Sequence, residues 1–373
     1  MKFANFGSAL PPVCIFLTNC LVPPPNNVLL INGSNSYDAP DLAGALIYPQ
    51  IAGIFTTDSV INGIAYNIPS YFVNLSNYST SGLHDSLPNG ISWPSGNFWA
   101  PTVRSVAGRF LMMVSASVTG RSNCIASATS QYGETFSQAS FELCDPNPAV
   151  GVLDPSLFVN AGQVWLLYSL QSSPNGGSEI DAQQLSSDGL SAVGPPYLLV
   201  NYNQLSSLVS APGPNAFIEN PSMTVDDFNN FDLTVSMGTW NTQGYETVEV
   251  PCLAANSECV PACGSEIMPL LNGDTTSWGP GGASVITDNS PANNFMVWHN
   301  GPSGNRVDEF GPTAEYDPSG NYTCASSTSS ANVSISNNLK MKPRLDSSPI
   351  PRVPYHWIPR VPNWPASRVQ IGA

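Results

Sequence analysis

A chain of 373 residues is long enough to bury one large core or two ordinary ones. Only 10% of its residues are charged, against roughly 25% in an average soluble protein, and Ser, Asn, Thr, Gly and Pro stand in for them, as in turn-rich extracellular all-β proteins. A net charge of -15 offers no basic surface to neutralise phosphates, which excludes nucleic acid as a partner and suits neutral sugars.

Residues 1–22 (MKFANFGSALPPVCIFLTNCLV) carry one early Lys and a short apolar run broken by Pro11 and Pro12. The run is far too short for a membrane span and reads as a signal peptide. Sequons at Asn32, Asn74, Asn77, Asn321 and Asn332 fit export into a glycosylating compartment. A secreted, extracellular monomer without membrane attachment is expected.

From residue 28 onward strand signals dominate. FLMMVSASV, QVWLLYSL, DLTVSMGTW and FMVWHN alternate apolar with small or polar residues between Gly, Asn and Pro turns. No segment sustains a 3.6-residue amphipathic pattern. The strands also recur in register: a short apolar strand, a polar turn and an aromatic-rich strand follow each of five anchors, Asp41, Ala100, Asp154, Glu219 and Gly282. The anchors are 59, 54, 65 and 63 residues apart. Such a period over five units predicts an all-β, five-bladed β-propeller spanning residues 28–310, each unit a four-stranded blade around a central axis. Equivalent positions then form a ring at one mouth of the channel, and three of the five are acidic: Asp41, Asp154 and Glu219. Carboxylates converging on a narrow axis repel one another, a cost that marks a functional site.

Cys14 and Cys20 fall in the leader or next to its end. Cys124 and Cys144 flank a hairpin and suit a disulfide. Cys252, Cys259 and Cys263 stand too close together to all pair with one another. A zinc site there lacks a nearby histidine, so the reading is a disulfide plus a spare thiol, with no metal. Past about Phe310 the composition changes. Residues 311–373 hold six of the eleven basic residues and only three acids, and IPRVP occurs twice. Pro at this density blocks helix and sheet alike, so this tail reads as a disordered or extended segment that supplies no obvious strand to finish the fifth blade.

Five phrases in order, DAPDL, NFWAPTV, LDPSLFVN, IENPSM and GPGGASVITD followed by VWHN, make the chain resemble the family 43 glycoside hydrolases from about Ser36 to Arg306. The resemblance implies a five-bladed propeller that cleaves arabinofuranosyl or xylosyl residues from plant-type polysaccharide or oligosaccharide by inversion. Carried over by motif, Asp41 is the general base, Glu219 the general acid, and Asp154 the group that orients the acid and raises its pKa by like-charge proximity. The family usually has Asp-Pro at the base, where this chain has Asp41-Leu42 with Asp38 three residues earlier, so Asp38 stays open as the counterpart. Asp154 before Pro155 also suits a plain turn. Trp99 is a candidate sugar-stacking residue or a core Trp, and His299 a candidate polar contact or a structural histidine. Some members bind a calcium-like ion through a histidine in the Gly-rich phrase. GPGGAS has none, so no cofactor is required and an axial Ca2+ is only an option. The competing class is a non-catalytic carbohydrate-binding propeller that has lost its base.

Overall fold

In the computed structural model, residues 28–32, 42–57, 59–61, 63–74, 79–80, 83–173, 177–206, 217–225, 231–238, 242, 244–259, 269–271, 279, 281–286, 295–300 and 307–312 are described. Their regular structure is almost entirely strand. After β1 (Val28–Asn32), the first sheet contains β2 (Ala43–Tyr48), β3 (Ile51–Phe55), β6 (Pro69–Asn74), β7 (Ser79–Thr80) and β8 (His84–Asp85). A separate hairpin, β4 (Ser59–Ile61) with β5 (Ile64–Tyr66), stands between β3 and β6 in sequence.

The second sheet is β9 (Phe98–Val106), β10 (Arg109–Ala116), β11 (Cys124–Ser130) and β12 (Ser137–Leu143). The third is β13 (Gly151–Asn160), β14 (Gln163–Ser173), β15 (Gly177–Leu185) and β16 (Tyr197–Asn201), followed by one helical turn, α1 (Tyr202–Ser206). The fourth is β17 (Phe217–Val225), β18 (Phe231–Gly238), β19 (Glu246–Cys252) and β20 (Pro269–Leu271). The last holds β21 (Gly281–Ile286), β22 (Phe295–Asn300) and β23 (Val307–Pro312), with β1 as its outer strand.

All the pairings are antiparallel, and the second, third and fourth sheets are plain meanders, the cheapest path when short turns join consecutive strands. The first strands of the five sheets touch in a closed cycle: β2 meets β9, β9 meets β13, β13 meets β17, β17 meets β21, and β21 returns to β2. This is a β-propeller. Alternation puts one face of each blade against its neighbour, and the buried apolar residues divide accordingly. Phe55, Val103 and Met112 fill one wedge, Leu111, Leu157 and Leu166 the next, Leu167, Leu233 and Val248 a third, and Ile54, Ile286 and Val297 the seam between the last blade and the first. That seam is closed by β1, whose residues pair with β23 from Val28–Phe310 to Asn32–Val307. The closing strand thus comes from before the first blade, and nothing beyond Pro312 is needed for it.

Side chains also join blades across the axis. The Arg104 guanidinium donates to the carbonyls of Gly44 and Val285, both at 2.7 Å, so one residue of β9 ties together three blades. Burial brings its pKa down to about 10. Of the cysteines, Cys124 is bonded to Cys144 and Cys252 to Cys259, and no free cysteine occurs among the described residues. Cys263 and residues 313–373 lie outside them.

Candidate active site

Each inner strand enters the axis through the same local distortion. Ladder pairing shifts between the partners of Trp99 and Thr102, and again between Leu153 and Ser156, Glu219 and Ser222, and Gly281 and Ser284. At each break one residue takes positive φ: Ala100 at 45°, Asp154 at 53°, Asn220 at 50° and Gly282 at 62°. Left-handed backbone is costly for Ala and tolerable for Asp, Asn and Gly. A bulge of this kind bends the strand and re-aims the neighbouring side chain, which is why bulges gather at active sites. It recurs here in four blades.

The bulges give the repeat a sharper phase than the sequence period does. The equivalent of Asp154 in the fourth blade is Asn220, and Glu219 is one residue earlier, alongside Trp99, Leu153 and Gly281. Glu219 is therefore not the fourth anchor. Sequence spacing missed this because a difference of one residue disappears in a period of about sixty. The residues just past the bulge, Pro101, Pro155, Pro221 and Ala283, line one axial channel, and Leu42 lines it with them.

Two residues past the bulge stands a hydroxyl in every case: Thr102, Ser156, Ser222 and Ser284. Three of these latch the next blade. The Leu157 N–H donates to Thr102 Oγ1 at 3.1 Å, the Val285 N–H to Ser222 Oγ at 3.2 Å, and the Gly44 N–H to Ser284 Oγ at 3.4 Å. Ser115 and Ser236, on second strands, accept from the N–H groups of Asp154 and Gly282, both at 2.8 Å. Bulge residues are thus held from the blade before.

Asp154 and Glu219 are both buried, at 4% and 8% exposure, where an ionised group costs free energy unless it is paired or bonded. The Asn220 N–H donates to Asp154 Oδ2 at 3.4 Å, so the carboxylate of the third blade reaches the backbone next to Glu219. Glu219 Oε1 accepts from the Tyr245 hydroxyl at 2.9 Å, and Asn220 Nδ2 donates to the same hydroxyl at 3.1 Å. Tyr245 is wholly buried and its ring stacks on His299 at 5.5 Å with 2° between planes. His299 is 1% exposed and sits on β22 opposite Gly281. Trp99 is half-buried, at the blade position that Glu219 occupies two blades on. Asp41 and Asp38 lie outside the described residues.

Sequence reasoning missed Asn220 and Tyr245. The signal for Asn220 was present, since APT, DPS, NPS and GAS align at one phase once the hydroxyl is included. Tyr245 comes from outside any repeated phrase. Among the described residues no three His, Cys, Asp or Glu side chains gather to hold a metal ion.

Comparison with known proteins finds the same fold. The profile of the glycosyl hydrolases family 43 matches residues 73–324. A thermostable family-43 glycoside hydrolase superposes with a TM-score of 0.61 at 20% identity, covering 80% of this chain and 98% of the other. An endo-arabinase from Bacteroides thetaiotaomicron gives 0.58 at 18% identity, covering 78% and 99%. An α-L-arabinofuranosidase from Lactobacillus brevis gives 0.55 at 15% identity, covering 78% and 92%. At these identities the superpositions speak for the fold alone. No curated protein matches the sequence significantly. With the profile running through the second to fifth blades, including both buried acids, this chain belongs to the glycosyl hydrolases of family 43.

Proposed function

We propose that the protein cleaves arabinofuranosyl or xylosyl residues from plant-type polysaccharide with inversion, using Glu219 as general acid, Asp154 to orient it and Asp41 as base. The observation that carries this reading is the convergence of two buried carboxylates from different blades on the Glu219-Asn220 bulge at the channel. A buried carboxyl beside a second one holds its proton more readily, as an acid serving a leaving oxygen must. The base must stand on the opposite face of the sugar, roughly 6.5–9.5 Å from the acid, with a water between.

The phase of the repeat supports Asp41 over Asp38. Leu157 and Val285, which donate to the latching hydroxyls, each follow a bulge residue by three positions, and Gly44 makes the same bond. Leu42 lines the channel as Pro155 and Ala283 do. Both offsets lead back to residue 41. Trp99 offers an aromatic face for a sugar ring, with His299 behind the site against Tyr245. No cofactor is needed, since side chains supply acid and base. Two disulfides favour an oxidising, extracellular setting, and a site built within one chain suits a monomer.

Because solved structures of this fold carry the names endo-arabinase and α-L-arabinofuranosidase, arabinan, arabinoxylan and nitrophenyl glycosides are the substrates to test first. Glu219→Gln keeps size and hydrogen bonding but cannot deliver a proton. It should lose about 10²–10⁴-fold on polysaccharide and much less on a nitrophenyl glycoside, whose leaving group needs little protonation. Equal losses on both would remove Glu219 from the role of acid.

A further inference from the structure

We infer that Tyr245 is a positioning residue for the acid, its hydroxyl fixing the Glu219 carboxyl so that the transferable proton resides on Oε2. This rests on the reading of Glu219 as acid. A phenol has one hydrogen to give. Asn220 Nδ2 donates to the Tyr245 oxygen at 3.1 Å, and the Tyr245 hydroxyl gives its hydrogen to Glu219 Oε1 at 2.9 Å. An oxygen already accepting from a phenol is a poor place for a second hydrogen. The proton of the neutral acid is left to Oε2.

The bonds also form a path between the two carboxyl groups. It runs from Asp154 Oδ2 to the Asn220 N–H, through the Asn220 side chain to Tyr245, and from its hydroxyl to Glu219. Tyr245 grips both residues of the bulge dipeptide, so a shift of the acid would strain two bonds at once.

The ring is held as closely as the hydroxyl. It stacks on His299, and a Cβ built on Gly281 would fall 2.0 Å from Tyr245 Cε1. Two more glycines admit the backbone that carries it. A Cβ on Gly279 would meet the Thr242 carbonyl oxygen at 2.4 Å, and one on Gly238 the Gly244 oxygen at 2.7 Å. Both have positive φ, 59° and 100°. The Tyr245 N–H closes the turn on the Thr242 carbonyl at 3.2 Å. Three glycines from two strand ends and a loop thus make a slot for one tyrosine.

The test is Tyr245→Phe beside Glu219→Gln, each assayed on arabinan and on a nitrophenyl arabinofuranoside across pH. Phe keeps the ring in its slot and removes only the hydroxyl. Expected is a loss of about tenfold or more in kcat on arabinan with KM little changed, and under about threefold on the activated glycoside. A donor to the ionised carboxylate is also lost, so the alkaline limb of the rate profile should move up by about one pH unit. Among the described residues, the titratable groups that touch Glu219, its bulge neighbour or Tyr245 are Asp154 on β13, Tyr245 itself, and His299 on β22. All are retained in the variant except the phenol. A wild-type alkaline limb with equal losses on both substrates would overturn the proposal. If Glu219→Gln also lost equally on both, the acid reading itself would fall; if it discriminated while Tyr245→Phe did not, only the role of Tyr245 would. Should Tyr245→Phe not fold, Gly281→Ala, which displaces the ring and keeps the hydroxyl, must show the same split between substrates. Equal losses there would overturn the proposal too.

Discussion

Replacing Gly281 by Ala drives a methyl group into the ring that holds the candidate acid. The new Cβ would stand 2.0, 2.4 and 2.9 Å from Cε1, Cδ1 and Cζ of Tyr245, where carbon atoms need about 3.5 Å. The ring must retreat by about 1.5 Å, and it is fully buried with His299 stacked on it. Its hydroxyl bond to Glu219, now 2.9 Å, would then exceed the length at which a hydrogen bond counts. Overpacking costs about 1–3 kcal/mol, and a buried bond to a carboxyl adds about 1–2 kcal/mol. The sum is about 2–5 kcal/mol, within the 5–15 kcal/mol of an ordinary domain, so the variant should still fold. Urea denaturation should show a lower midpoint at an unchanged slope, with kinetics on arabinan and nitrophenyl arabinofuranoside measured on the same preparation. A wild-type midpoint with wild-type activity on arabinan would show that the slot is loose and that Tyr245 does not hold the acid.

Two further outcomes follow from groups away from the channel mouth. Asp181 is 7% exposed, and burial first, then the charges of Glu179 and Asp145, push its pKa up to about 7. The unfolded value is about 4, so the folded chain keeps this proton while the unfolded chain releases it. Stability should fall as pH rises from about 4 to about 7, by up to about 4 kcal/mol, and level off above that. Asp181→Asn should shrink the fall, seen as a smaller difference between the urea midpoints at about pH 4.5 and about pH 8 than the wild type shows, the remainder belonging to other buried carboxyls such as Glu246, which burial pushes up to about 7. The bond between Cys124 and Cys144 closes a loop over a separation of 20 residues, worth about 3 kcal/mol by chain entropy. Replacing both by Ser should lower stability by that order, with the channel and its kinetics left intact.

The propeller was legible because its blades repeat one phrase, and repetition survives where single strands are ambiguous. Asp154 could be read from Asp-Pro and Glu219 from Glu-Asn-Pro, since acids at the head of buried strands have few structural uses. The one-residue offset between Glu219 and Asn220 was not legible from spacing, because the bulge, not the period, sets which residue turns toward the channel. Pairing at the seam escaped because VLLIN at 28–32 is a short apolar run with no repeat partner. The cysteine cluster left its pairing open until Cys252 and Cys259 met. Tyr245 stood outside every motif: three glycines spread over forty-four positions make its slot, and only folding brings them together.

An acid and a base acting from opposite faces of one sugar leave their mark on the anomer of the first product. Proton NMR of the wild-type enzyme on a soluble arabino-oligosaccharide, read in the first minutes before mutarotation, shows which form is released. Inversion requires the first sugar to appear as the anomer opposite to the linkage cleaved. A first product of the same configuration as the substrate would mean a covalent intermediate, and would contradict the roles given to Glu219 and Asp41.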